Sequence, residues 1–258
     1  MREWLDHGWR VIATGISFAA FGIGGLLLGL FVFPLLRLLV RDRARCRRIS
    51  RRLVQVSFRF HVELMRLLGV LTYELHDVER LREPGRLVLA NHPTLIDVVF
   101  LISLMPNADC IVRSGLARNP FTRGPILACG YICNDDGAAL VDDCIAALRE
   151  GSTLLIFPEG TRTRRDVPMR LQRGAANIAV RGGVDVTPVR LRCSPLTLGK
   201  GDKWYRVPSQ RFHYSVEVGE NLDVTPYLAD GQGEALAARR FTEYLTHYFS
   251  NEARRAGG

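Results

Sequence analysis

Ala90-Asn91-His92-Pro93-Thr94-Leu95-Ile96-Asp97-Val98-Val99-Phe100 is the stretch on which the reading of this chain turns. The apolar run Leu87-Val88-Leu89-Ala90 leads into it as a strand, and Pro93 breaks that strand. Thr94 suits a helix cap, and the apolar residues from Leu95 onward continue a helix to about Met105. His92 is therefore expected at a strand end and Asp97 about one turn into a helix. That places an imidazole and a carboxylate within reach of each other. A neutral imidazole can take a proton from a hydroxyl, while a carboxylate on its other ring nitrogen fixes the tautomer and stabilises the imidazolium. A capping box accounts for the same residues: Thr94 and Asp97 would then only satisfy backbone donors, beside a packed histidine. This stretch alone supports both readings.

Outward from it, strands and helices alternate. Short strands are expected at 73–75, 109–112, 152–157 and 211–219, with another at 184–193 interrupted near Pro188. Helices are expected at 53–70, 138–148, 171–181 and 234–249, and 254–258 reads as a frayed tail. Asp135 or Asp136 would start the second helix. Pro84-Gly85 marks a turn, and 113–124 reads as a loop carrying Arg113, Arg118 and Arg123. The alternation argues for an α/β domain.

Residues 11–36 contain no charged side chain and are long enough to cross a bilayer. The length, and the lack of a small-residue cleavage site, favour an anchor over a signal peptide. Gly25 and Gly29 have the spacing of close helix packing and permit a dimer without requiring one. Arg37, Arg41, Arg43, Arg45, Arg47, Arg48, Arg51 and Arg52 follow at once. Positive charge marks the cytoplasmic flank, so the catalytic domain is expected on the cytoplasmic face of the membrane. These arginines can grip anionic head groups at about 1 kcal/mol each. The chain thus divides into a membrane anchor with a basic juxtamembrane segment, 1–52, and a folded domain, 53–258.

The formal net charge of +9 points to anionic lipid or phosphorylated ligands. Zinc-finger spacing and an RNA-recognition signature are both missing, so nucleic acid is not the expected partner. Cys46, Cys110, Cys129, Cys133, Cys144 and Cys193 form no Cys-x-x-Cys pair and read as reduced core residues.

A second stretch, Phe157-Pro158-Glu159-Gly160-Thr161-Arg162, follows a buried strand. Glu159 is expected to be exposed where the turn opens. Gly160 lets a ligand approach the backbone, and Arg162 offers a planar fork for a phosphate, with Arg164 and Arg165 adding charge. By itself it is also an ordinary turn with a solvated arginine run.

Taken together, the block from Asn91 to Asp97 and the Phe-Pro-Glu-Gly-Thr-Arg block resemble the glycerolipid, or lysophospholipid, acyltransferase family. The order of the blocks and their place behind an apolar anchor fit it too. The resemblance implies a mixed central sheet flanked by helices. It implies His92 as general base and Asp97 as its orienting partner. It also implies that Glu159, Gly160, Thr161 and Arg162 line the acceptor-phosphate site, and that Val186-Thr187-Pro188-Val189 borders the acyl-donor site. The donor would be acyl-CoA or acyl-carrier protein, with no bound cofactor or metal. The acceptor would be a lysophospholipid such as 1-acylglycerol 3-phosphate.

One departure bears on the acceptor. The family's second block usually ends in an arginine, where this chain has Asn134. Arg113, Arg118 or Arg123 would then supply the missing charge, or the acceptor is another membrane lipid: an aminolipid, a glycolipid or a pigment lipid. Two other classes fit the sequence less well. A serine hydrolase would need Gly-x-Ser-x-Gly, which is absent. A non-catalytic lipid-binding module would use the arginines and the anchor but leaves the pairing of the two blocks unexplained.

Overall fold

The computed structural model describes residues 2–134, 139–163, 167–229 and 233–255. Asp135, Asp136, Arg164 and Arg165 lie outside the described residues, as does 256–258 of the tail. The chain begins with α1 (Arg2–Leu27), one π-helical turn (Leu28–Val32) and α2 (Phe33–Leu39). Then follow α3 (Arg43–Leu67), β1 (Leu71–His76), a 3-10 turn (Val78–Arg82), β2 (Leu87–Ala90), α4 (Asp97–Leu104) and β3 (Ala108–Val112). Next come α5 (Ser114–Arg118), α6 (Pro120–Cys129), β4 (Ile132–Cys133), α7 (Ala139–Arg149) and β5 (Thr153–Ile156). The chain closes with α8 (Gly174–Gly182), β6 (Val186–Ser194), β7 (Phe212–Val218), α9 (Thr225–Leu228) and α10 (Glu234–Arg255).

The strands form one mixed sheet in the order β1-β7-β6-β2-β5-β3-β4. Neighbours run parallel except β6 and β7. The central β2 and β5 are buried at every residue, as strands covered on both faces must be. One apolar layer joins this sheet to α3 and α4 through Val54, Met65, Phe100 and Leu101. The other joins it to α7, α8 and α10 through Ile145, Ala179, Phe241 and Leu245. Each of these side chains larger than Ala179 stabilises the fold by about 1.5–3 kcal/mol relative to exposure.

Three local expectations change. Within 113–124, residues 114–118 and 120–124 are helical: Asn119 accepts a hydrogen bond from the Phe121 N–H at 3.0 Å, and Pro120 stands at the first helical position of α6. The strand at Pro188 is not interrupted. The Pro188 carbonyl accepts from the Gly219 N–H, so its missing N–H faces the side where β7 ends, and the pairing with β2 is untouched. The basic run is also helix. Asp42 caps α3 by accepting from the Ala44 and Arg45 N–H groups, and α3 runs on through Arg52 and Leu53 without a break.

Arg51 is not a lipid-facing cation. It is buried and ion-paired with buried Asp109. Its remaining donors reach the Cys129 carbonyl, Asn107 Oδ1 and Ser152 Oγ at 3.0, 3.2 and 2.8 Å. Burial pushes the Asp109 carboxyl above its ordinary value, and the Arg51 charge opposes that push.

Gly25 in α1 and Gly29 in the π-helical turn are used within the chain. A Cβ on Gly25 would lie 2.3 Å from the Phe121 carbonyl oxygen, and one on Gly124 would lie 2.3 Å from the Gly29 Cα. The spacing read as permitting a dimer therefore seats α1 on α6. The helical stretch Asp6–Leu39 is long and apolar enough to cross a membrane, and it leaves Ile23, Leu30, Phe31 and Leu38 exposed.

The Arg51–Asp109 pair yields a test. Arg51→Ala strands a buried carboxylate and should cost about 3–5 kcal/mol, whereas Arg51→Met with Asp109→Leu should recover most of that loss. Denaturant unfolding in detergent reads both variants.

Candidate active site

The carboxyl ends of β2, β5, β3 and β4 meet at one edge of the sheet, where ligands bind in open α/β folds. His92 follows β2 and Asp97 opens α4. His92 Nδ1 lies 2.7 Å from Asp97 Oδ2. Asp97 is fully buried, and the same Oδ2 accepts from the Thr94 N–H at 2.8 Å. Oδ1 accepts from the Thr94 hydroxyl and, at 2.7 Å, from the Tyr214 hydroxyl on β7. Thr94 is not the expected helix cap, because α4 opens at Asp97 directly after Ile96 and the Thr94 hydroxyl donates to the carboxylate; the Asp97 carboxylate takes the Thr94 N–H and the imidazole together. An ionised carboxylate only accepts, so His92 Nδ1 carries the hydrogen and Nε2 keeps its lone pair. Burial, then the Asp97 charge, pushes the Tyr214 phenol well up, which keeps it a donor.

The backbone of His92 is held from two sides. Its N–H points at Glu159 Oε1 and Thr163 Oγ1, at 3.1 and 3.2 Å, and its carbonyl accepts from the Thr163 N–H at 2.7 Å. The Asn91 amide copies a strand pairing: it donates to the Leu191 carbonyl at 2.8 Å and accepts from the Leu191 N–H at 2.7 Å. Phe157 stacks on the imidazole with centroids 4.1 Å apart.

Glu159 departs from its expected exposure. It is half-buried and turned toward the His92 N–H and the Thr163 hydroxyl, the latter at 2.6 Å. Gly160 occupies the left-handed region at φ +65°, and its carbonyl accepts from the Arg113 guanidinium. Thr161 Oγ1 accepts from Lys200 Nζ at 2.8 Å. Arg162 donates to the Leu198 and Gly199 carbonyls at 2.9 and 2.7 Å. Asn134 is exposed and pairs through its N–H with the Val112 carbonyl, one residue before Arg113. So Arg113, Arg162 and Lys200 gather around the 158–162 turn, with Asn134 beside Arg113. Arg123 is exposed on α6, and no hydrogen bond or ion pair among the described residues ties its side chain to this cluster.

Sequence reasoning missed Thr163, Lys200 and Tyr214, and gave Asn91 no task of its own. Thr163 is one residue past the second block. Lys200 and Tyr214 reach the site only because the segment after β6 and the β7 strand fold back on it, and neither carries a local signal.

Burial pushes the Glu159 carboxyl above its ordinary value, against the bonds from Thr163 and the His92 N–H. The folded chain therefore holds this proton more tightly than the unfolded chain. The resulting stability is full below the unfolded carboxylate pKa and is lost as pH rises through the raised folded value. Glu159→Gln keeps an acceptor for the His92 N–H but has no such proton. Through that acid window, wild-type unfolding midpoints should fall relative to the variant as pH rises. Midpoints that track each other at every pH would contradict the assignment.

Residues 72–192 match the Acyltransferase family model. The chain is 28% identical over 183 residues to the 1-acyl-sn-glycerol-3-phosphate acyltransferase of Pseudomonas aeruginosa, a match covering 67% of this chain and 66% of that protein. It is 28% identical over 108 residues to the chloroplastic 1-acyl-sn-glycerol-3-phosphate acyltransferase LPAT1 of Arabidopsis thaliana, covering 40% of this chain and 30% of that one. The matched part thus spans less than two thirds of either relative. The fold is similar to the crystal structure of the 1-acyl-sn-glycerophosphate acyltransferase PlsC from Thermotoga maritima, with a TM-score of 0.70 and 20% identity over 95% of this chain and 98% of that one. Both sequence blocks thus lie inside a domain that matches the Acyltransferase family model, which supports the resemblance to the glycerolipid acyltransferases.

Proposed function

We propose that the protein transfers a fatty acyl group from a thioester, acyl-CoA or acyl-carrier protein, to a lysophospholipid hydroxyl, with 1-acylglycerol 3-phosphate as the leading acceptor. The observation that carries this reading is the 2.7 Å contact between His92 Nδ1 and a fully buried Asp97 carboxylate. His92 Nε2 takes the hydroxyl proton as the oxygen attacks the thioester carbonyl. A C–O bond forms and a tetrahedral oxyanion results, which donors near the site stabilise. The C–S bond then breaks, and the imidazolium returns its proton to the departing thiolate. Thr94 and Tyr214 hold the Asp97 carboxylate, while Glu159 and Thr163 fix the His92 backbone.

Arg113, Arg162 and Lys200 supply positive charge where an acceptor phosphate would sit, beside Gly160 and Thr161. Arg123 belongs to this proposal only as a more distant cation. Asn134 favours a second reading, in which the acceptor is a membrane lipid without a glycerol phosphate: an amide beside Arg113 brings no charge of its own. Residues 1–52 anchor the protein in the membrane and 53–258 form the acyltransferase domain, with α3 continuous across the junction. In this reading the domain faces the cytoplasm, on the side marked by the arginines after 36.

Purified protein and a labelled acyl donor test the proposal. His92→Ala should lower turnover about 10²–10⁴-fold, and Asp97→Asn by a comparable factor through loss of the correct tautomer; wild-type rates in either would end it. Tyr214→Phe removes one of the donors to Asp97 and should lower kcat roughly tenfold with little change in KM. Asn134→Arg should improve use of glycerophosphate acceptors if that position sets the acceptor class.

A further inference from the structure

The segment joining β6 to β7, 195–211, has two ends with different surroundings. Its inner end is locked to the site. Leu198 is buried, and its carbonyl accepts from the Leu95 N–H at 3.0 Å and from Arg162 at 2.9 Å. Gly199 also accepts from Arg162, and Lys200 donates to Thr161. Its outer end, 200–206, is exposed at every residue. Trp204 and Tyr205 are 45% and 47% exposed, and their rings meet edge to face. Lys203, Arg206 and Lys200 flank them, and Lys203 lies 5.6 Å from the Tyr205 ring centroid. The one acid of this stretch, Asp202, is turned inward to cap the Gly199 N–H at 2.8 Å.

The outer end also rests on the apolar N-terminal helix. Trp204 comes within 3.5 Å of the position a Cβ on Gly15 would take, and its ring lies 5.8 Å from Phe18. Ile12, Ile16 and Ile23 are exposed on that same helix. Half-exposed aromatics beside cations, at the margin of an apolar surface, have the chemistry of a bilayer interface. The rings settle at head-group level, and the cations attract anionic lipid.

We propose that 200–206 is a contact for the anionic surface of the bilayer and that this contact aligns the entrance to the site with the lipid layer. The proposal rests on the membrane acyl-transfer reading and extends it to a part of the chain outside the anchor. Docking of Trp204 and Tyr205 sets the depth of the segment. Lys203 and Arg206 make the docking depend on negative charge. Because the inner end holds Leu95, Thr161 and Arg162, the depth of the outer end sets how the acceptor site meets the membrane. An acidic protein partner would use the same cations but gives no reason for the two aromatics to stand exposed beside α1.

The test uses the full chain with Lys203→Gln and Arg206→Gln combined, a separate Tyr205→Ala variant, and Arg239→Gln on α10 as a control for surface charge. Turnover of 1-acylglycerol 3-phosphate is compared in detergent micelles, in phosphatidylcholine vesicles, and in vesicles that also contain phosphatidylglycerol. Wild type should gain activity with phosphatidylglycerol. The double variant should lose that gain, on the order of tenfold, while keeping wild-type rates in micelles. Tyr205→Ala should be slowed in both kinds of vesicle but not in micelles, and Arg239→Gln should respond as wild type does. An unchanged phosphatidylglycerol response in the double variant, or an equal loss in Arg239→Gln, would overturn the proposal. So would a defect already present in micelles, or one confined to assays with acyl-carrier protein as donor; the latter would assign the cations to a protein partner. A wild type inactive in micelles would instead count against the acyl-transfer reading. Flotation of wild type and double variant with both kinds of vesicle then tests the surface contact on its own.

Discussion

A carboxylate sealed from water must be surrounded by donors, and much of this architecture can be read as the means of supplying them to Asp97. Two come from Thr94 in the same turn, one from His92 across the Pro93 break, and one from Tyr214 on a strand more than a hundred residues later. The first three are local and follow from chain geometry. The fourth requires the whole sheet, because β7 reaches α4 only after β6 has turned back antiparallel beside it. Tyr214 is itself fixed by stacking on Phe100, with centroids 4.1 Å apart. The orientation of one acid is thus tied to the packing of the core.

The same economy appears around His92. Two side chains that read as ligand-facing or incidental, Glu159 and Asn91, act on the backbone. Glu159 meets an amide N–H, and Asn91 extends the pairing of β2 with β6 past its last residue. The imidazole therefore sits on a frame braced by both neighbouring strands. This precision suits proton transfer, where displacement of about 1 Å is costly.

The α/β alternation was legible because central strands covered on both faces must be continuous apolar runs, and 87–90 and 154–157 are such runs. The His92–Asp97 relation was legible because five residues and a proline leave few ways to arrange it. What escaped has a common cause. Residues 113–124 read as loop because Gly115, Pro120, Gly124 and Pro125 are breakers in general, yet Pro120 stands where a helix tolerates it and Gly124 is needed for contact with Gly29. Arg51 read as one cation of a surface run, since nothing in the run shows that Asp109 waits beneath it. The packing of Gly124 and the burial of Arg51 depend on partners remote in sequence, as do the unread roles of Tyr214 and Lys200.

The contact between Gly29 and Gly124 is backbone against backbone, with no side chain able to yield by changing rotamer. The apolar N-terminal helical stretch is therefore welded to α6, not tethered to the domain. A tethered domain could rise and dip to find its substrate; under the proposed membrane reading, this one keeps a constant attitude to its anchor, and a lipid substrate must travel sideways to meet it.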